Sequence, residues 1–152
     1  MNTSNNKFEI IPFDPMFADE MADTEALTLG EEGWSADGIK DTVSLNGTYF
    51  LAVKDGKYLG HGGFTTVLDE CYITNIAVIP TERRQGIGAA IVSKMIDECK
   101  QKGAAFLSLE VRASNEPAVL LYKKYGFTEC GRRKNFYSNP KEDAVIMTLN
   151  FR

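Results

Sequence analysis

The spacing of hydrophobic residues along the chain predicts a series of strands and helices. Phe8–Pro12 has the apolar pattern of a short first strand. The dipeptide Asp14-Pro15 is typical of a helix start, and a loose apolar pattern extends that helix to about Leu29. Ser35 is a candidate N-cap for a second short helix, which we expect over Ala36–Leu45.

Three strands that form an antiparallel meander are expected next. They span Tyr49–Val53, Tyr58–Leu68 and Cys71–Ile79. The turn between the first two contains Asp55-Gly56, a dipeptide that favours a tight hairpin. Apolar and mostly β-branched residues are common towards the end of the third strand, as is typical of strands in a buried sheet.

The helical period returns shortly after the third strand. Ile87, Ile91, Met95 and Cys99 follow one another at intervals of four residues. They therefore lie on one face of an amphipathic helix, which we expect over about Gly88–Lys102.

The length of this helix predicts the relative direction of the strands that it joins. Phe106–Val111 follows it, and a crossover of that length makes this strand parallel to Cys71–Ile79. Asn115 or Ser114 is the candidate cap for a further short helix. Closing strands are expected over Phe127–Cys130, Arg132–Phe136 and Ala144–Leu149. We therefore expect a single α/β (α+β) domain over residues 1–152, with a mixed, largely antiparallel twisted sheet, one parallel strand pair and about four flanking helices.

Composition narrows the classes of function. Hydrophobic residues make up 43% of the chain, enough for a substantial core, and the net charge of −4 argues against a general nucleic-acid binder. Three cysteines without a CxxC pair indicate reduced thiols and a cytoplasmic protein, and the single histidine argues against a His-based zinc site. The polar segment Met1–Lys7 and the lack of an apolar run of about 20 residues predict neither a signal peptide nor a membrane span. We expect a monomer or a weak homodimer.

A basic, glycine-containing loop lies between a predicted strand and a predicted helix. Its sequence, R-R-Q-G-I-G at Arg83–Gly88, lacks the G-K-[ST] of a P-loop, and a dinucleotide fingerprint would need glycine at Ile91. Glycine lets the backbone approach a ligand, and the free N–H groups and dipole of the first helical turn favour an anion. A glycine turn with solvated arginines is the alternative, but the flanking strand and helix favour an anion site.

Two side chains near the same sheet edge are candidates for acid–base chemistry. Glu110 lies near the C-terminal end of a central strand, a costly position for a carboxylate unless it is solvated or used. It is a candidate general base, and the alternative is a salt bridge to Arg112 or a nearby basic residue. Tyr122 is a candidate phenol at the reaction centre, and the alternative is an ordinary residue of the amphipathic core. Helical spacing alone does not select Tyr122 over Tyr125.

Five motifs together resemble the GCN5-related N-acetyltransferase (GNAT) superfamily and, more narrowly, its RimI-type ribosomal-protein-alanine N-acetyltransferases. They are I-T-N-I-A-V at 73–78, R-R-Q-G-I-G at 83–88, L-E-V-R-A-S-N at 109–115, L-Y-K-K-Y-G-F at 121–127 and R-R-K-N-F-Y at 132–137. About the first seventy residues match mainly in layout and in Gly33-Trp34-Ser35. Phe136 departs from the family pattern, which often has a second tyrosine at that position.

The resemblance implies the GNAT fold and an activity. The activity is acetyl transfer from acetyl-coenzyme A to an N-terminal α-amine, most closely the N-terminal alanine of a small-subunit ribosomal protein, without a metal. Glu110 is implied as general base, Tyr122 as general acid and Tyr137 as a substrate contact. Cosubstrate binding is implied for Ile76, Ala77, Val78, Arg84, Gln85, Gly86, Ile87, Gly88, Ala89 and Asn115. Trp34 is either a wall of the substrate groove or a core residue.

The chemistry of amines favours an N-terminal acceptor. An α-amine with a pKa near 8 costs about 1 kcal/mol to deprotonate at pH 7, whereas a lysine costs roughly 4–5 kcal/mol. Two alternatives stay open: an acetyltransferase for a small amine such as a polyamine or aminoglycoside, and a coenzyme A-binding module without catalysis. His61 is expected to be a strand residue without catalytic duty.

Overall fold

A computed structural model of the chain describes residues 8–152. The segment 1–7, on which the expectation of no signal peptide partly rests, lies outside the described residues. The strands and helices follow in the order β1 (Glu9–Pro12), α1 (Ala18–Leu29), α2 (Ala36–Leu45), β2 (Gly47–Lys54), β3 (Lys57–Val67), β4 (Glu70–Val78), α3 (Ile87–Gln101), β5 (Phe106–Arg112), α4 (Glu116–Lys124), β6 (Thr128–Tyr137) and β7 (Glu142–Asn150).

The described strands form one sheet in the order β1-β2-β3-β4-β5-β7-β6. β4 and β5 pair in parallel, and the other neighbouring pairs are antiparallel. This confirms the predicted mixed, largely antiparallel sheet with one parallel pair and flanking helices. The parallel pair was predictable because α3 is long enough to carry the chain back along the sheet.

The end of the chain differs from the prediction. The sequence predicts two separate strands over 127–130 and 132–136, whereas the structure has the single strand β6. Its pairing with β7 shifts register between Glu129 and Gly131 and again between Arg133 and Tyr137. Such a bulge bends a strand and disturbs the alternation of its side chains, but the strand stays paired. The alternation in the sequence is therefore interrupted within a single continuous strand.

The helices cover both faces of the sheet. Alternate β2 residues point to opposite sides, with Phe50 and Ala52 in the apolar cluster that includes α3, and Tyr49 and Leu51 in the cluster that includes α1 and α2. Tyr122 belongs to the first cluster, so α4 packs on the same face as α3. Both clusters together form the core around the sheet.

The parallel strands β4 and β5 stay together for only a short distance. Their paired residues are Glu70 with Phe106, Cys71 with Leu107, and Tyr72 with Ser108. Beyond these pairs, β4 remains paired with β3 as far as residue 78, and β5 remains paired with β7 as far as residue 112. The two strands therefore diverge and leave a wedge in the sheet. Backbone groups on the edge of β4 that faces β5 have no strand partner there.

Glycine allows β3 to pack closely against its neighbours. A Cβ atom on Gly63 would lie 2.5 Å from Cδ2 of Tyr49, which is also the residue paired with Gly63 across β2 and β3. The tyrosine ring therefore lies over the glycine backbone. Its hydroxyl is 3.0 Å from Oγ1 of Thr74 on β4, so Tyr49 spans β3 to reach the next strand.

Gly63→Ala is expected to lower the free energy of unfolding by about 2 kcal/mol, because an added methyl group overpacks the contact with the Tyr49 ring. Urea denaturation measures the change. Gly131→Ala is the matched control in another strand, since its Cβ would lie 3.7 Å from Ile146, an ordinary contact distance. Its expected change is about 0.5 kcal/mol or less. Equal destabilisation by the two substitutions would contradict this account of Gly63.

Candidate active site

The wedge between β4 and β5 opens into a groove of about 600 Å³. Its walls come from residues 28–32 and Trp34, from 73–76 on β4, from 109–112 and Asn115, from Ala118, Leu121 and Tyr122 on α4, and from Phe136, Tyr137, Asn139 and Pro140. The groove thus brings together six of the predicted site residues, which are Trp34, Ile76, Glu110, Asn115, Tyr122 and Tyr137. Ala77 and Val78 lie further along β4, and the loop Arg83–Gly88 is not among the lining residues.

The structure distinguishes Tyr122 from Tyr125. Tyr125 donates its hydroxyl to the carbonyl oxygen of Ala89 at 3.1 Å and so ties α4 to the start of α3. Tyr122 is 7% exposed, and its ring packs edge-on against Phe127. Within the described residues its hydroxyl has no hydrogen-bond partner, yet every fully enclosed side-chain oxygen or nitrogen has one. The Tyr122 hydroxyl therefore opens into the groove.

The environment of Tyr122 keeps its hydroxyl protonated. Burial raises the pKa of this group above its ordinary value, and Tyr137 adds an electrostatic contribution in the same direction. The phenol therefore retains its proton throughout the neutral range. It can donate that proton to a group that becomes negatively charged in the groove.

Glu110 projects from the face of β5 opposite to Leu109 and Val111. Leu109 and Val111, on either side of Glu110, are buried in the apolar cluster that includes α3. The Glu110 carboxylate forms an ion pair with Nε of Arg133 on β6, whose side chain is 59% exposed. The predicted alternative of a salt bridge is therefore present, with Arg133 as the partner. Arg112 has other contacts, which are described next.

Arg112 links several segments of the chain at one end of the groove. Its guanidinium lies 3.0 Å from Glu32 and 3.1 Å from Glu142. It also lies 4.4 Å from the ring centroid of Tyr137, within cation–π range. Burial, with added effects of Glu110 and Glu32, raises the pKa of the Tyr137 hydroxyl to about 12. Tyr137 is thus a neutral, partly buried hydrogen-bonding group at the groove wall.

Trp34 contacts both the core and the groove. Its ring packs against the cluster of α1 and α2, and it also lines the groove. Its backbone N–H donates to Oε1 of Glu25 at 2.7 Å. Ser35, which follows it, caps α2 as predicted by accepting from the N–H of Gly38 at 3.0 Å. The position of Trp34 is therefore set by hydrogen bonds as well as by packing.

The start of α3 is open to an anion. Asn115 caps α4 through its side-chain oxygen, but α3 begins at Gly86 without a capping side chain. Gly86 has a φ of 80°, a left-handed conformation that favours glycine, and a Cβ there would meet nothing within 4 Å. The N–H groups of the first turn of α3 have no intrahelical partners. Phosphate oxygens are suitable acceptors for them.

The remaining residues of the basic loop surround this helix start. Ile87 is buried and anchors the loop in the core, while Arg84 and Gln85 are exposed. Gly88 faces α4, since a Cβ there would lie 3.9 Å from Leu121. Ala89 is bound by Tyr125, as described above. The loop therefore borders α4, and α4 connects it to the groove that contains Glu110.

Two groove-related residues were missed by sequence reasoning. Glu25 on α1 is fully buried, and its carboxyl oxygens contact His61, Trp34 and Asn75. Asn75 on β4 lines the groove. Glu25 carries no sequence signal of its own, because a glutamate in a loosely amphipathic helix is ordinary. Asn75 lies in the motif I-T-N-I-A-V at 73–78, but the resemblance implied no role for it.

The described residues contain no group of three or more His, Cys, Asp or Glu side chains that could hold a metal ion. Among the helices from residue 8 onwards, none is both long and apolar enough to cross a membrane.

Comparison with known proteins gives consistent matches. A sequence model of the acetyltransferase (GNAT) family matches residues 13–127. The chain is 46% identical to the putative ribosomal protein bS18-alanine N-acetyltransferase of Bacillus subtilis (strain 168) over 104 residues, which cover 67% of this chain and 69% of the relative. It is 44% identical to the ribosomal protein bS18-alanine N-acetyltransferase of Escherichia coli (strain K12) over 102 residues, or 66% of this chain and 69% of that protein.

A solved structure extends the likeness over nearly the whole chain. The crystal structure of the ribosomal-protein-S18-alanine N-acetyltransferase from Escherichia coli matches with a TM-score of 0.83 at 33% sequence identity. The match covers 94% of this chain and 93% of that one. It therefore includes the N-terminal strands and helices, which the sequence motifs match only weakly.

Tyr125→Phe is expected to lower the free energy of unfolding by about 1 kcal/mol, because the carbonyl of Ala89 loses its donor. Tyr122→Phe is the matched control and is expected to change stability by about 0.5 kcal/mol or less, since its hydroxyl has no protein partner. Urea denaturation of both variants measures the difference. A larger loss for Tyr122→Phe would show that its hydroxyl is bound within the protein.

Proposed function

The chain belongs to the acetyltransferase (GNAT) family, and we propose that it acetylates the N-terminal alanine of a small-subunit ribosomal protein. It is an acetyl-coenzyme A-dependent N-acetyltransferase. The acceptor is proposed from the names of the relatives from Bacillus subtilis and Escherichia coli. The observation that carries the catalytic proposal is the groove at the wedge, which Glu110 and Tyr122 both line.

The residues around the wedge fit acetyl-coenzyme A. The uncapped start of α3, with Arg84, Gln85 and Gly86 before it, suits the pyrophosphate. The free edge of β4 at residues 76–78 offers backbone donors and acceptors to the amide-containing pantetheine arm. Asn115 caps α4 with its oxygen, which leaves its amide nitrogen to contact the arm. When bound, acetyl-coenzyme A supplies an acetyl group activated as a thioester.

Glu110 is proposed as the general base. Its present partner, Arg133, is largely exposed, and exposed ion pairs contribute only about 0–1 kcal/mol. The positively charged α-ammonium of an acceptor can therefore replace the guanidinium at the carboxylate. Glu110 then takes a proton from that ammonium, directly or through water, and leaves the neutral amine that the reaction requires.

Tyr122 is proposed as the general acid. The amine nitrogen attacks the thioester carbonyl, so that a C–N bond forms and the C–S bond breaks. Tyr122 gives its proton to the departing thiolate sulfur and regains one from the solvent or from the amine. Because burial raises the pKa of Tyr122 above its usual value, the proton is available at neutral pH and is lost only under more alkaline conditions.

Mass spectrometry tests the acceptor directly. A peptide with N-terminal alanine, incubated with acetyl-coenzyme A and the enzyme, is expected to gain one acetyl group, while the same peptide with a blocked N-terminus gains none. A polyamine and an aminoglycoside are included, because residues 28–32 of the groove belong to the part of the sequence that matches the family motifs weakly. Turnover of these small amines without turnover of peptide would overturn the ribosomal-protein proposal.

Tyr122→Phe is expected to lower kcat on the order of 10²-fold, because the departing thiolate loses its proton donor. Steady-state kinetics with the accepted amine measure the change. Tyr125→Phe, at the residue that directly follows α4, is the matched control and is expected to keep kcat close to that of the wild type. An unchanged kcat in Tyr122→Phe would contradict the general-acid assignment, as would an equal loss in both variants.

A further inference from the structure

One buried carboxyl group connects four parts of the fold beneath the groove. Glu25 on α1 is fully buried. Its Oε2 lies 2.7 Å from Nε2 of His61 on β3. Its Oε1 accepts from the backbone N–H of Trp34 at 2.7 Å and from Nδ2 of Asn75 at 2.9 Å. Trp34 and Asn75 both line the groove, so Glu25 determines the positions of two of its wall residues.

The hydrogen bonds of Glu25 determine which way the Asn75 amide faces. A backbone N–H can only donate, so the Oε1 atom that it contacts is an acceptor. The Asn75 side chain must therefore turn its NH₂ group towards Glu25, and its Oδ1 atom points elsewhere. Asn75 is half-buried, and within the described residues its Oδ1 accepts no hydrogen bond although no fully enclosed oxygen lacks one. The Oδ1 atom is therefore open to the groove.

His61 and Tyr58 hold Glu25 in place from the other side. His61 is fully buried, and its second ring nitrogen, Nδ1, lies 2.7 Å from the Tyr58 hydroxyl. Both ring nitrogens thus have partners, and Tyr58 is itself 3% exposed. His61 is not among the residues that line the groove. Its part in the structure is to fix the buried carboxyl group.

We infer that Asn75 binds the amine acceptor through Oδ1, and that Glu25 is the positioning residue that keeps this oxygen turned towards the substrate. The inference rests on the proposed function, since it needs an amine in the groove. An α-ammonium carries only N–H donors. Glu110 on β5 and Asn75 on β4 offer it acceptors from opposite walls of the wedge. Two acceptors restrict the orientation of the nitrogen more than the carboxylate alone.

Asn75→Ala is the primary test. Its expected effect is a rise of about tenfold in the KM for the amine acceptor, because one hydrogen bond to a charged donor is lost. The KM for acetyl-coenzyme A is expected to stay within about twofold of the wild-type value. Ser108→Ala is the matched control, since it removes a buried hydroxyl bound to Met147 and Thr148 outside the groove. Both of its KM values are expected to match the wild type.

Glu25 is tested by two substitutions of different character. In Glu25→Gln the amide oxygen can still accept from Trp34 and Asn75, while the amide nitrogen donates to His61 in its other tautomer, so the acceptor KM is expected to stay low. In Glu25→Leu both acceptors are lost and the KM is expected to rise as in Asn75→Ala. Adding Asn75→Ala to Glu25→Leu is then expected to have little further effect, because both changes remove the same contact.

The outcomes separate this inference from the proposed function. All measurements use whichever amine the wild-type enzyme acetylates, so failure with the ribosomal peptide leaves the role of Asn75 open to test with a small amine. A folded Asn75→Ala enzyme with an unchanged acceptor KM would overturn the inference. An equal rise in the KM for acetyl-coenzyme A would overturn it too, since that result indicates a general distortion. If Glu25→Leu does not fold, the acceptor KM of Asn75→Ala is sufficient to test the inference.

Discussion

The divergence of β4 from β5 is the constraint on which the functional part of the structure depends. Each strand can leave the other because it keeps a partner on its opposite side, β3 for β4 and β7 for β5. The sheet therefore stays continuous through its first three parallel pairs and opens beyond them. Backbone groups on the open edges need water or a ligand, since buried unpaired groups are costly. A wedge in a sheet is thus an intrinsic binding site for an extended molecule with amide groups.

The sequence predicts the strands β4 and β5 and the helix that joins them, but it does not predict the wedge between the two strands. The length of α3 predicts that β4 and β5 are parallel, but nothing in either strand indicates that pairing ends after Tyr72 and Ser108. The same limit applies to the tyrosines of α4. Tyr122 and Tyr125 are three residues apart and differ in their tertiary contacts, since Tyr125 binds Ala89 whereas Tyr122 packs on Phe127 and lines the groove. Contacts between distant segments decide both cases, and local periodicity contains no information about them.

The partner of Glu110 illustrates a related limit. Arg112 is close in sequence, but it is on the same strand and binds Glu32, Glu142 and the carbonyl oxygens of Ser138 and Pro140. Arg133 lies on β6, and β7 separates β6 from β5. Arg112 and Arg133 pair with the same β7 residue, Ala144, from its two sides. The contact between Glu110 and Arg133 therefore crosses β7 and cannot be inferred from distance along the chain. Arg112 thereby ties the segments around one end of the groove together, and Arg133 is left to meet Glu110. An exposed partner is compatible with a carboxylate that must exchange its cation for a substrate amine.

The buried hydrogen bonds of Glu25 matter more for the orientation of the Asn75 side chain than for the stability of the fold. A carboxyl group and an imidazole are costly to bury, and apolar residues of similar volume often stabilise a core as well or better. Packing alone could hold the Trp34 ring, but it could not determine which end of the Asn75 amide faces the groove, because the oxygen and nitrogen are nearly equal in size. A hydrogen-bond acceptor behind the amide is required for that choice. Glu25 supplies this acceptor at Oε1, and His61 holds it there by binding Oε2.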